Sequence, residues 1–114
     1  MIWNWLSKKK DLYIDLGAEK LIAAQKGQQK IAVKIKSFVS PSPVTDLENA
    51  LGQFILYYDI LEEQGSDRIL HLAIPHRTYT EIFTETIGKI LLKKNRLRLL
   101  VFDPKQEVIV QWIT

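Results

Sequence analysis

Cysteine is absent from the 114 residues, and histidine occurs only twice, at His71 and His76. The first absence excludes a disulfide scaffold, thiol catalysis and cysteine-ligated zinc. Two histidines also argue against a histidine-rich metal site. No segment reaches the roughly 18–20 consecutive apolar residues of a bilayer-spanning helix. The start, Met1-Ile2-Trp3-Asn4-Trp5-Leu6-Ser7 before Lys8-Lys9-Lys10, has too short an apolar stretch for a signal peptide and its charges on the wrong side. A cytoplasmic protein without a membrane partner is expected, with Trp3 and Trp5 packing onto the domain. There is no G-x-G-x-x-G, no Walker loop and no Ser/His/Asp set, which removes Rossmann enzymes, P-loop NTPases and serine hydrolases as leading classes. Internal repeats, low-complexity tracts and long linkers are missing as well.

What is present describes an ordinary globular chain: 46% hydrophobic, 25% charged and 10% aromatic residues. A chain of this length folds around one core, burying roughly two-thirds of the surface its unfolded form exposes. Residues 1–114 are therefore read as one domain. The formal charge of +3 is too small to identify a nucleic-acid partner, but it is unevenly spread. Residues 1–36 hold eight lysines against three acids, and residues 86–114 hold six bases against two acids. The stretch between them holds eight acids against two bases. A polarised surface is expected.

Alternation predicts strands at Leu12–Leu16, Leu21–Ala24 and Ile31–Lys36, the last two joined by a turn at Lys26-Gly27. Ser40-Pro41-Ser42-Pro43 then breaks the chain, and a helix is expected from Pro43 to about Gln64, stopped by Gly65. Thr45-Asp46-Leu47-Glu48 fits a capping box, and Val44, Leu47, Leu51, Phe54, Tyr58 and Leu61 recur at three and four, as a buried helical stripe does. A strand follows over Arg68–Ile74, ended by Pro75. A second helix begins near Thr78, with Ile82, Phe83, Ile87, Ile90 and Leu91 as its core face. Strands at Leu97–Phe102 and Val108–Ile113 flank a turn at Asp103-Pro104-Lys105. The order β-β-β-α-β-α-β-β makes this an α/β protein with a mixed sheet and flanking helices.

The residues able to carry chemistry lie between Asp15 and Tyr57. Asp15 is an acid inside an apolar strand, an unusual place for a carboxylate without a partner. In Ile31-Ala32-Val33-Lys34-Ile35-Lys36, side chains two apart share a face, so Lys34 and Lys36 point together. Asp46, Asn49, Gln53 and Tyr57 follow at three, four and four, forming a polar stripe on the helix. An acid, an amine and a polar helix face are thus positioned to converge. The plainer alternatives are a buried ion pair fixing strand register for Asp15 and Lys36, and a half-covered helix face for Gln53 and Tyr57. Glu19 fits a solvated turn better than a ligand set, and Ser37 fits a strand end as well as a phosphate contact. His71 reads as a hydrogen-bonded core residue. His76 and Arg77 follow a strand end, where functional loops are common. The bases Lys89, Lys93, Lys94, Arg96 and Arg98 either track a nucleic-acid backbone or form a solvated helix end.

An acid, then a strand carrying E-x-K, then a helix carrying Q-x-x-x-Y is the pattern of the PD-(D/E)XK nuclease superfamily, which this chain resembles with Asp15 at the first position, Lys36 at the lysine, and Gln53 and Tyr57 in Q-x-x-x-Y. More closely, DLYIDLGAEKLIAAQKGQQKIAVKIKSF, PSPVTDLENALGQFILY and VFDPKQEVIVQWI resemble the XisH family, from Lys9 to the end of the chain. These are small cyanobacterial proteins described as controlling factors for excision of the fdxN element. The resemblance implies a restriction-endonuclease-like fold, a XisI-like protein partner and contact with DNA. The superfamily chemistry it implies is phosphodiester cleavage with Mg or Mn held by carboxylates. In that chemistry the metal activates water and the lysine stabilises developing charge.

Two departures qualify that expectation. Where the family pattern reads IAVEIKSF this chain reads IAVKIKSF, so Lys34 replaces the metal-binding glutamate, and a protonated ammonium has no lone pair to donate. A first helix and strand usual in the family are also expected to be absent, leaving Asp15 the sole candidate metal ligand and Lys36, Gln53 and Tyr57 a vestigial catalytic set. Apolar sheet surface exposed by that loss would be covered by Trp3, Trp5 or a homodimer partner. The leading expectation is a controlling factor with impaired nuclease chemistry, in which Lys34 pairs with Asp15. The alternatives are an active Mg/Mn-dependent endonuclease and a non-catalytic interaction module.

Overall fold

The computed structural model describes residues 10–13 and 20–113. Strands β1 (Lys10–Tyr13), β2 (Lys20–Lys26) and β3 (Gln29–Ile35) form an antiparallel meander, with Leu12 opposite Leu21 and Ala23 opposite Ala32. β3 then pairs in parallel with β4 (Ile69–Pro75), and β4 in parallel with β5 (Leu99–Asp103). β6 (Val108–Ile113) returns antiparallel beside β5. The sheet order follows the sequence, β1 to β6. Parallel neighbours need a crossover, and helices supply both of them. The expected mixed α/β architecture is the observed one.

Helix α1 (Pro43–Glu63) crosses from β3 to β4. Ser42 is its N-cap, accepting from the Thr45 N–H at 3.3 Å. The cap thus lies three residues before the expected capping box. Asp46, whose carboxylate Oδ2 accepts from the Ser40 N–H at 3.1 Å, ties down the preceding loop instead. At the other end Gly65 adopts φ 70°. The Ser66 N–H reaches the Leu61 carbonyl and the Gly65 N–H the Glu62 carbonyl, both at 3.0 Å, so the orphan carbonyls of the last turn are satisfied.

The buried row of α1 is Leu47, Ala50, Phe54, Tyr57 and Leu61, at three, four, three and four. This corrects the expected stripe: Val44 and Tyr58 are exposed and Leu51 is half-buried. A helix lying flat on a sheet buries one narrow row, and 44, 51 and 58 form the next row, at its margin.

After β4 the chain makes a short turn α2 (His76–Thr78) that continues as a π-helix over Tyr79–Phe83. α3 (Thr86–Lys93) starts afresh from an extended Glu85. The expected continuous helix is therefore broken. Ile82 and Phe83 are buried, whereas Ile87 and Ile90 are exposed. A π turn carries an extra residue, which rotates everything after it off the original face. The residue of α3 that faces inward is Gly88, whose Cα lies so close to the π turn that a Cβ would sit 2.3 Å from the Ile82 carbonyl oxygen.

Both crossovers pack on one sheet face. There Ala32, Leu70, Leu72, Ile74, Leu99 and Val101 meet the α1 row together with Ile82, Phe83 and Leu97. The other face buries Ala24, Ile31, Val33, Ala73, Leu100 and Phe102, with Trp112 and Ile109 packed against them. At the β5–β6 turn, Asp103 Oδ1 accepts from the N–H groups of Lys105 and Gln106 at 2.8 and 3.2 Å, the hydrogen-bonded turn that an aspartate before proline favours. Among the described residues no helix is long and apolar enough to cross a membrane.

Candidate functional site

The parallel pairing of β3 and β4 assembles one end of the molecule. Lys34 stands opposite Leu72 in register and Ile35 opposite Ala73. The ladder continues one residue beyond β3, where the Lys36 N–H donates to the Ala73 carbonyl at 3.0 Å. Side chains alternate along a strand, so Ala32, Lys34 and Lys36 share the face beneath α1. Both lysines are half-buried. The Lys34 ammonium lies 5.8 Å from the centre of the Tyr57 ring, within reach of a cation–π attraction of about 0.5–2 kcal/mol. Gln53, half-buried, lies one helical turn before Tyr57. The fold brings Lys34 and Tyr57 together, with Gln53 on the same helix one turn away.

Other expectations need correction. The polar stripe expected of Asp46, Asn49, Gln53 and Tyr57, flanking the apolar one, is divided by burial. Asp46 and Tyr57 are buried, Gln53 is half-buried and only Asn49 is exposed. Asp46 is held inside by the Ser40 N–H it accepts. Ser37 is exposed beside the strand end. Asp15 and Glu19 lie outside the described residues, as do Trp3, Trp5 and the region where a first helix and strand were expected to be missing.

Sequence reasoning did not connect His76 and Arg77 with Lys36. Because β3 and β4 run the same way, the residues just after Pro75 emerge at the same sheet end as Lys36. Both are exposed, and His76 stacks on Tyr79 with ring centres 6.5 Å apart. The available signal was Pro75 itself, a strand terminator aligned with the end of Ile31–Lys36. The outcome is a basic end built from Lys34, Lys36 and Arg77, with His76 beside them.

The same geometry tests the fit of a divalent cation. Mg and Mn require oxygen donors. Among the described residues no group of three or more His, Cys, Asp or Glu converges, and a cation, Lys34, stands near the end of β3. The described donors do not fit a hard cation.

His71 behaves as the expected core histidine. It lies opposite Val33 in register, on the sheet face away from α1, and is buried. Its Nδ1 is 3.2 Å from the Ile69 carbonyl oxygen. A carbonyl only accepts, so Nδ1 carries the hydrogen and Nε2 is the bare nitrogen of the neutral ring. Nε2 has no hydrogen-bond partner, while Trp112 meets the ring edge-on at 5.5 Å. Burial above all holds the His71 pKa below its ordinary value. The charges of Lys26 and Arg98 lower it further, against the bond to the Ile69 carbonyl.

The chain matches known proteins along nearly its whole length. The family model described as "XisH protein" matches residues 4–110. No curated protein matches. Among solved structures, an XisH family protein from Nostoc punctiforme PCC 73102 is 36% identical. The match covers 99% of this chain and 94% of that one with a TM-score of 0.82. A protein from Anabaena variabilis described as a fdxN element excision controlling factor is likewise 36% identical, over 99% of this chain and 98% of that one, with a TM-score of 0.81. Agreement in sequence and backbone over this extent leaves no other assignment: the chain belongs to the XisH family.

Proposed function

We propose that this chain is a controlling factor for excision of a DNA element, acting through DNA bound at the Lys34–Lys36–Arg77 end of a restriction-endonuclease-like scaffold with impaired metal chemistry. The observation that carries the reading is the Lys34 ammonium against Tyr57, on the strand face it shares with Lys36. The Anabaena variabilis relative, described as a fdxN element excision controlling factor, supports the process. Fixed cations at a sheet end suit phosphates, since each neutralised phosphate releases counterions. Lys34 stands where a PD-(D/E)XK site places a carboxylate, and its charge substitutes for the ion's charge without the ion's ability to activate water. Asp15 is its proposed counter-charge. A XisI-like protein is the proposed partner of the same complex.

Calorimetric titration with Mn²⁺ of the protein and of Lys34→Glu tests this reading. The variant should bind and the parent should not. Adding Asp15→Ala to the variant should remove that binding. Tight, saturable binding by the parent that disappears on Asp15→Ala would restore the active nuclease. Binding by neither protein would favour the interaction module.

A further inference from the structure

A second basic site lies at the opposite end of the parallel strands, where α1 ends and β4 and β5 begin. Two adjoining cavities, of about 170 and 310 Å³, share Tyr58 and Arg98 in their walls. The larger is completed by Phe54, Ile55, Asn95 and Arg96. The smaller reaches Ser66 and Arg68, and Glu62 supplies its carboxylate. Arg68 is committed to the fold, since its guanidinium donates to the carbonyls of Ala24 and Ile31, each at 3.1 Å. Arg96 and Arg98 have no such commitment: no ion pair or side-chain hydrogen bond to a described residue engages either. Arg98 is nonetheless half-buried. The carboxylate in the cavity walls, that of Glu62, is exposed and makes no ion pair with it, so the Arg98 guanidinium is left available to an anionic ligand.

The wall chemistry narrows the ligand. Arginine presents a planar fork matched to phosphate or carboxylate. Tyr58 is 43% exposed and Ile55 49%, so the opening carries an aromatic ring and an aliphatic patch beside the two guanidinia. Asn95 is fixed at the rim in the left-handed region, φ 57°, by the Asn95 N–H to the Leu92 carbonyl and the Arg96 N–H to the Leu91 carbonyl. An acidic peptide would use the arginines but leave the aromatic wall idle. A phosphate joined to a flat aromatic base uses both, by the stacking and charge that serve single-strand recognition. The larger cavity falls in the size range of small-molecule sites.

We propose that these cavities form a nucleotide-binding site, with Arg96 and Arg98 on the phosphate and Tyr58, Phe54 and Ile55 against the base. The nucleotide is either a free mononucleotide or one unpaired nucleotide of a DNA strand. The charge of Arg98 is also felt at His71. This inference does not rest on the proposed nuclease-like end, since Lys36 lies at the far end of the strands.

Calorimetry in the presence of a chelator tests it with three probes: dAMP, inorganic phosphate and a short single-stranded oligodeoxynucleotide. Saturable dAMP binding is expected, weakened at least about tenfold by Arg98→Gln, the loss of one charged hydrogen-bonding group. Tyr58→Leu should weaken dAMP but leave phosphate unchanged, and Lys36→Ala should leave both unchanged. An oligodeoxynucleotide that binds Lys36→Ala protein more tightly than dAMP does, and loses that advantage on Arg98→Gln, identifies the strand as the source, and equal affinities identify the free nucleotide. The parent protein gives an independent reading, in which the His71 imidazole resonance moves as dAMP neutralises Arg98. Failure of dAMP and the oligodeoxynucleotide to saturate by about 10 mM, binding indifferent to both substitutions, or an unmoved His71 resonance would overturn the proposal.

Discussion

Lys34 and His71 sit on adjacent strands, on opposite faces of the same parallel pair, and differ in how deeply they are buried. The Lys34 amine is half-buried against the ring of Tyr57. His71, fully enclosed, is held neutral by desolvation. Its native pKa is lowered, so between about pH 6.5 and that lower value the unfolded chain takes up a proton that the native protein refuses. Stability must therefore fall as the pH drops through that window, by at most about 1.4 kcal/mol per pH unit for this group. Denaturant midpoints measured from pH 7.5 to 5.5 should show the decline in the parent and a flatter profile in His71→Leu. An unchanged slope in the variant would show that another group is responsible.

At the level of elements, the two crossovers end alike, but the second departs from simple periodicity at its π turn. α1 stops at Gly65 and α3 at Asn95, each in the left-handed region and each closing the same pair of backbone hydrogen bonds. Between them, the π turn at Tyr79–Phe83 is packed so closely by Gly88 that a methyl group has no room. Gly88→Ala would place its Cβ 2.5 Å from the Phe83 Cα as well. Neither contact is with a flexible side chain, so α3 must lift. The expected cost is at or above the upper end of the usual overpacking range, about 3 kcal/mol. Gly65→Ala, in open space but at φ 70°, should cost about 1 kcal/mol through backbone strain alone. Urea unfolding of the two variants checks the order, and a Gly88→Ala protein as stable as Gly65→Ala would refute the packing explanation.

Across the whole molecule, the sheet separates charge more cleanly than the sequence blocks suggested. Lys34, Lys36 and Arg77 gather at one end of the parallel strands and Arg68, Arg96 and Arg98 at the other, while α1 carries exposed Glu48, Asp59, Glu62 and Glu63, of which Glu62 joins the second group in a cavity wall. DNA bound through the first end should show a linear fall of log affinity with log salt. Replacing Lys36 or Arg77 by alanine should each reduce that slope by about one while weakening binding to all sequences alike. Fluorescence anisotropy on a duplex at several salt concentrations measures it. A slope unaffected by both substitutions would place the DNA elsewhere.

The order of strands and helices, the extent of α1 and the shared face of Lys34 and Lys36 were all legible in the sequence. Each follows from local rules, namely period-two alternation, a proline-rich start and a glycine stop. The identity of the buried tyrosine, the break in the second helix and the inward turn of Asp46 were not legible. They depend on which narrow row of a helix touches the sheet, and on a π turn that adds a residue without any composition signal. The convergence of Lys36 with Arg77, and of Tyr58 with Arg98, belongs to the same class. Parallel pairing and a crossover bring together residues 41 and 40 positions apart, and only the packed sheet decides which ends meet.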